Sequence, residues 1–228
     1  MITVKVGPEE VIFHAPKDVL CRSSTFFKTA LSKDWSENKE RCVRLPEDDS
    51  DIFTTYLQYA FTQRVVAIEE KPEDANMETH YSKLFALYCF ADRIDDKACK
   101  NVIMDRIIHL HSQRKTAPSD ADIYKVFEST MDDCMLQRYL VDVAVHCPMT
   151  RDLKANDVVR CPVYYCKVIT MWAALRDAGV HVKRGLPTAN HKKSYYHEDL
   201  TEPADESNQT ASGSAEPAED TTDAAGGS

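Results

Sequence analysis

Glycine is scarce: there are 6 in 228 residues, and only Gly7, Gly179 and Gly185 precede residue 187. A loop that cradles phosphate needs several glycines close together, so no nucleotide-binding motif can be assembled from these three. No apolar run approaches the roughly 20 residues of a membrane-spanning helix. The N-terminus alternates apolar and polar residues instead of placing a basic leader before an apolar block. Neither a membrane partner nor a secretory signal is therefore expected. Positive charge is also short, with 28 Lys and Arg against 37 Asp and Glu and a net charge of −9. A dedicated nucleic-acid binder would carry a basic face. Neither G-x-S-x-G nor H-E-x-x-H occurs, and no repeat period is evident. The expected location is cytoplasmic and/or nuclear, where the eight cysteines would be reduced and buried rather than disulfide-bonded.

The acidity is unevenly placed. From Pro187 to Ser228, nine acidic residues face only Lys192 and Lys193, giving −7 and leaving −2 for residues 1–186. Nucleic acid is thus disfavoured by the lack of a basic patch rather than by total charge. After Leu200 only small, polar and acidic residues and proline remain. That composition offers too little apolar burial to offset the entropy of ordering a chain. Residues 183–228 read as an acidic, low-complexity, disordered tail, for which a solvating role is favoured over that of an acidic interaction tail.

Ahead of the tail, periodicity gives an ordered series of elements. Ile2, Val4 and Val6 alternate with polar residues, Gly7-Pro8 turns, and Val11 and Phe13 alternate again. Pro16 suits the first turn of a helix, and Ser23 or Ser24 can cap a second helix carrying Phe26, Phe27, Ala30 and Leu31. Cys42–Leu45 reads as a short strand. Asp48, Asp49 and Ser50 are cap-type residues before the stripe Ile52, Phe53, Tyr56, Leu57 and Ala60. Val65, Val66 and Ile68 suggest another strand, and Glu69–Thr79 an acidic loop. Tyr81–Ala91 and Ala98–Leu110 form two apolar helices separated by Asp95-Asp96. The order is strand, strand, two helices, strand, helix, strand, helix, helix. This predicts a mixed α+β fold with clustered helices rather than a doubly wound sheet.

These residues carry a family resemblance. "VGPEEVIFHAPKDVLCRSSTFFKTAL" resembles the opening of a BTB/POZ domain, "VRLPEDDSDIFTTYLQYAFTQRV" its middle, and "YSKLFALYCFADRIDDKACKNVIMDRI" its closing helix pair. The match spans about residues 2–112 and resembles the BTB proteins common in filamentous fungi. The resemblance implies a BTB/POZ domain over residues 1–114, with a small mixed sheet and a cluster of helices. It implies an interaction module that self-associates as a homodimer and recruits protein partners, not an enzyme. Some relatives are cullin-3 adaptors of ubiquitin ligases, with a hydrophobic-x-Glu motif before the middle strand. Trp35, Ser36 and Glu37 stand at the matching place here, where an aromatic anchor and a nearby carboxylate suit partner binding. Self-association is expected through the first helix region, with Lys17, Asp18, Cys21 and Arg22 as candidate residues. The chain opens directly on the first strand, so the swapped N-terminal element of long BTB forms is not expected. His14 matches a family histidine and is expected to hydrogen-bond near the start of the first helix.

Past Lys115–Pro118, Ser119 or Asp120 can cap a helix bearing Ile123, Val126 and Phe127. Met135–Val143 continues as an amphipathic helix, and Pro148–Pro162 is polar and turn-rich. Val163, Tyr164, Val168, Met171, Trp172 and Leu175 form a last stripe ending at Gly179, a natural residue just past a helix end. Residues 115–182 thus read as a helical extension of the kind that widens a BTB partner surface.

Cys134, His146, Cys147, Cys161 and Cys166 lie near one another in sequence. They lack the paired close spacing of a zinc site, and several sit on apolar stripes, where thiols act as small hydrophobes. His109 and His111 point to different helix faces. No catalytic residue, metal site or cofactor is assigned. The rival functions are an oligomeric scaffold or transcription-regulatory BTB protein with no ligase role and, remotely, a thiol- or metal-dependent hydrolase.

Overall fold

The computed structural model describes residues 1–32, 40–65, 77–114, 118–146, 155–180, 187 and 191–200. Strand β1 (Ile2–Val6) is central in a three-stranded sheet. It pairs antiparallel with β2 (Val11–Ala15), Val4 facing Phe13, and parallel with β3 (Cys42–Leu45), Val4 facing Val43. The period-two pattern sets this register. Ile2, Val4 and Val6 turn one face inward and leave Thr3 and Lys5 on the other. Gly7 makes the hairpin turn at φ +76°, a conformation that glycine adopts without strain.

Helices cover the apolar face of the sheet. They are α1 (Lys17–Leu20), α2 (Thr25–Ala30), α3 (Ser50–Thr62), α4 (Met77–Arg93) and α5 (Lys97–Arg114). Pro16 is the residue before α1 rather than part of its first turn. Ser24 caps α2 by accepting from the Phe27 amide at 3.1 Å, and Asp49 caps α3 by accepting from the Asp51 and Ile52 amides. An aromatic cluster joins sheet to helices. Phe13 meets Phe53 edge-on at 4.9 Å, Phe53 meets Phe90 at 5.9 Å, and Tyr56 meets Phe90 at 5.1 Å.

The extension comprises α6 (Asp120–Ser129), α7 (Met135–His146), α8 (Ala155–Arg160) and α9 (Pro162–Asp177). Ser119 caps α6 by accepting from the Asp122 amide. Gly179, at φ +67°, closes α9. Its amide donates to the Arg176 carbonyl, and the Val180 amide donates to the Leu175 carbonyl, the paired bonds of a Schellman ending.

Four expectations change. Met77–Thr79 belong to the first turn of α4 rather than to a loop. The polar stretch before Pro162 contains helix α8. Val65 is buried but outside any strand, and Val66 and Ile68, the rest of that expected strand, lie outside the described residues. The unstructured tail is corrected at 191–200. There a short 3₁₀ turn, Lys193–Tyr196, packs on α5 and α7 because Tyr196 brings a ring that is wholly buried. Residues 201–228 lie outside the described residues.

Asp96 organises the junction between these parts. The chain reverses after α4 through Asp95, at φ +48°, and the wholly buried Asp96 then caps α5. One carboxylate oxygen accepts from the Cys99 amide at 2.8 Å. The other accepts from the Ser23 hydroxyl at 2.6 Å and the Tyr56 hydroxyl at 3.0 Å. Removing the carboxylate would strand two buried donors, Tyr56 and the Cys99 amide, and the half-buried Ser23 hydroxyl, at about 1–3 kcal/mol for each buried one, partly relieved by relaxation. Asp96→Ala is expected to lower unfolding stability in urea by about 3 kcal/mol, and Asp96→Asn by about half of that. A loss below about 1 kcal/mol for the alanine variant would contradict this role.

Candidate interaction surface

The first helix and its following turn present the residues expected for self-association, and three of the four are tied back to their own fold. Lys17 is half-buried rather than fully exposed, and its ammonium donates to the Leu31 carbonyl just past α2. Cys21 Sγ donates to the Phe27 carbonyl at 3.4 Å, and burial raises the thiol's pKa. Arg22 is exposed, yet one guanidinium nitrogen reaches the Ala60 carbonyl at 3.4 Å. Asp18 is exposed. These bonds fix where the polar groups stand, so the surface is pre-organised and loses less side-chain freedom on binding.

Arg22 thereby lies at the C-terminal turn of α3, the turn that carries Phe61. Phe61 is 52% exposed. Gln63, left-handed at φ +57°, ends α3, and its side-chain amide donates to the same Ala60 carbonyl at 3.2 Å. Sequence periodicity alone does not single out Phe61 as a surface residue. Phe61 lies four residues after Leu57 and so continues the apolar stripe in the sequence, and its exposure is read from the fold.

Trp35, Ser36 and Glu37 lie outside the described residues. The described neighbours on either side are Leu31, buried at the end of α2, and Arg41, whose carbonyl accepts from the Thr3 amide at 2.9 Å as β3 begins.

The outer face of the sheet is a second exposed surface. Ile12, 58% exposed, stands opposite Lys5, and His14 stands opposite Thr3. His14 is exposed, and its imidazole lies 3.4 Å from the Thr3 hydroxyl across the strand pair. The expected bond at the start of the first helix is therefore replaced by a cross-strand one. Lys5 pairs with Glu10 at 2.6 Å, and this hydrogen bond holds the Glu10 carboxyl below its ordinary pKa.

The extension is fastened to the body by polar bonds under an apolar seam. Tyr88 on α4 accepts from the Leu136 amide at 3.4 Å. Asp92 accepts from Lys100 at 2.9 Å and from the Met131 amide at 3.2 Å. Ser82 donates to Asp122 at 2.7 Å. His111 is buried within 2.8 Å of the Tyr139 hydroxyl, and burial lowers the imidazole's pKa, which favours its neutral form. His109, next but one, is exposed.

Residues 2–101 match the family model of the BTB/POZ domain. A comparison with curated proteins gives no match. The matched block ends within α5, and α6–α9 come after it.

Most of the described thiols are held away from reactivity by burial. Among the described residues, no group of three His, Cys, Asp or Glu side chains is placed to hold a metal ion. Cys147 lies outside the described residues. Burial pushes the Cys89 thiol up to about 12 and the Cys99 thiol well above its ordinary range. It also raises Cys134 and Cys161. A raised pKa suppresses the thiolate and with it nucleophilic reactivity. Cys166 is exposed. Brief alkylation with iodoacetamide at pH 8, mapped by peptide mass spectrometry, is expected to modify Cys166 early. Cys89 and Cys99 are expected to react only after denaturation, and early labelling of either would contradict their burial.

Proposed function

The chain carries a BTB/POZ domain over residues 2–101, of a family that serves protein interaction and is not an enzyme family, and from that premise we propose that it self-associates and recruits a cullin-3 ubiquitin ligase as an adaptor. The observation that carries self-association is the surface of α1 and its turn. There the exposed Asp18 and Arg22 stand four residues apart, and Arg22 is anchored beside the exposed Phe61. Opposite charges on one patch suit a two-fold pairing, because Asp18 of one copy can face Arg22 of the other. Phe61 supplies the apolar contact that such small patches need. The adaptor role is supported by the position of Trp35-Ser36-Glu37 before β3 in the sequence. The extension α6–α9, packed on α4 and α5, gives the partner a wider surface.

The scaffold reading without a ligase role draws on a different feature. Ile169 and Trp172 on α9 are 64% and 52% exposed, although the Trp172 position falls in a stripe expected to be buried. An apolar helix face of this kind suits assembly as well as recruitment.

Two measurements separate these readings. Light scattering across a concentration series is expected to show the wild-type chain above monomer mass, with Asp18→Ala/Arg22→Ala dissociating at roughly tenfold higher concentration. Pull-down of purified cullin-3 is expected to succeed with wild type and to weaken at least tenfold with Trp35→Ala/Glu37→Ala, about 1.4 kcal/mol. A strict monomer at tens of micromolar overturns self-association. No wild-type capture at micromolar cullin-3 overturns the adaptor role and leaves the scaffold reading.

A further inference from the structure

Helices α5 and α7 hold residues 191–200 in the manner of a bound peptide. The contacts fall on three consecutive residues. The ring of Tyr196 is wholly buried and meets Tyr139 edge-on at 5.1 Å, and its hydroxyl donates to Asp142 at 2.6 Å. Asn101 reads both main-chain groups of Glu198. Its amide oxygen accepts from the Glu198 N–H at 2.6 Å, and its amide nitrogen donates to the Glu198 carbonyl at 3.0 Å. The Glu198 carboxylate lies 2.9 Å from the Lys100 ammonium. Between them, His197 reaches Asp105 at 3.2 Å. Lys192, Lys193, Ser194, Tyr195, Asp199 and Leu200 are exposed.

The receiving groups are built into the body. Lys100 and Asn101 are buried on α5, and Asp142 is 5% exposed on α7. Lys100 is held from the other side by Asp92 at 2.9 Å. The segment itself helps to cover Asn101, Lys100 and Asp142, and on its release their hydrogen bonds would be exchanged for bonds to water or to another peptide of the same chemistry. The surface therefore calls for an occupant with a tyrosine hydroxyl, a main-chain residue open to an amide, and an acid two places after the tyrosine. Asn101 reads only backbone, so sequence selectivity falls on Tyr-x-Glu. Within 191–200 only Tyr196 is fully buried. That is the anatomy of a short linear motif, in which one buried aromatic anchor dominates. Tethering in the same chain gives such a motif an effective concentration on the order of millimolar, enough for a weak motif to occupy its site and screen it.

We propose that this face of α5 and α7 is a peptide-binding site for Tyr-x-Glu segments of partner proteins, gated by the chain's own residues 196–198. It is separate from the α1 surface and does not rest on the self-association or adaptor reading.

The probe is a fluorescein-labelled peptide of residues 191–200, followed by anisotropy against three full-length chains: wild type, the released variant Tyr196→Ser/Glu198→Gln, and the released variant with Asn101→Ala. Circular dichroism and thermal melts establish that each is folded. The released chain is expected to bind the peptide at least tenfold more tightly than wild type, and Asn101→Ala to remove at least tenfold of that affinity. A peptide with serine at the Tyr196 position is expected not to bind. If the double variant is unfolded, Tyr196→Phe, which removes only the hydroxyl, replaces it, with a gain of at least threefold over wild type expected. A folded released chain that binds no better than wild type overturns the proposal, as does binding unaffected by Asn101→Ala.

Discussion

A wholly buried carboxylate that draws three parts of the chain to one point sets the geometry on which the candidate surface depends. Asp96 is satisfied by three neutral donors, the Ser23 and Tyr56 hydroxyls and the Cys99 amide. A buried charge tolerates its position only when its hydrogen bonds are complete. The three donors come from the turn after α1, the middle of α3 and the first turn of α5, so these parts must meet at one point. Ser24, next to Ser23, donates to the Ile94 carbonyl at 2.7 Å while capping α2. The turn holding Cys21 and Arg22 is thereby positioned from behind, and the surface it presents is set by a bond network in the core.

A second polar chain carries order from the BTB/POZ domain into the extension. Asp92 accepts from Lys100 on α5 and from the Met131 amide ahead of α7. Lys100 passes the linkage to Glu198. Because the family match ends at residue 101 while α5 runs to Arg114, one helix serves both the domain and the extension. The segment at 191–200 uses residues on either side of that limit, Asn101 and Asp105 on α5 and Asp142 on α7. Domain and extension are joined by a shared helix and shared polar partners.

What was legible in the sequence was whatever depends on neighbours along the chain. Alternation gave β1 and β2, helical spacing gave α3 to α7 and α9, and cap chemistry narrowed the helix starts to Ser23 or Ser24, Asp48 to Ser50, and Ser119 or Asp120, and set the end of α9 at Gly179. Features that depend on distant partners were not legible. Asp96 reads as a helix breaker and cap, but nothing local says that Ser23 and Tyr56 converge on it. The stretch 183–228 reads as one acidic tail because composition averages over Tyr195-Tyr196, and the fit of Tyr196 to Asp142 spans 54 positions in sequence. Lys17 reads as a solvated charge, whereas its long stem lets the ammonium reach the Leu31 carbonyl. At the candidate site, the α1 residues are candidates that come from the family resemblance, while the exposure of Phe61 and the α5–α7 surface needed the fold.

The charge distribution then constrains how partners are recognised. The part of the chain before Pro187 carries only −2, and many of its charges are already committed: Lys5 to Glu10, Arg44 to Glu40, Lys167 to Asp133, Lys100 to Asp92. The first three pairs lie at the surface and contribute little to stability, whereas Lys100 and Asp92 are each only 7% exposed; with a near-neutral sum before Pro187, long-range steering of a partner is weak. Prominent exposed groups are instead apolar, namely Ile12 on the sheet, Phe61 at the end of α3, and Ile169 and Trp172 on α9. These three sites stand on separate elements, so they offer separate anchor points rather than one apolar patch continuous across the molecule. Recognition by separate anchors demands fixed geometry around each of them, because one side chain gains only a few kcal/mol by burial. That demand is what the Asp96 and Asp92 networks meet, by holding the α1 turn, α3 and the extension in register with one another.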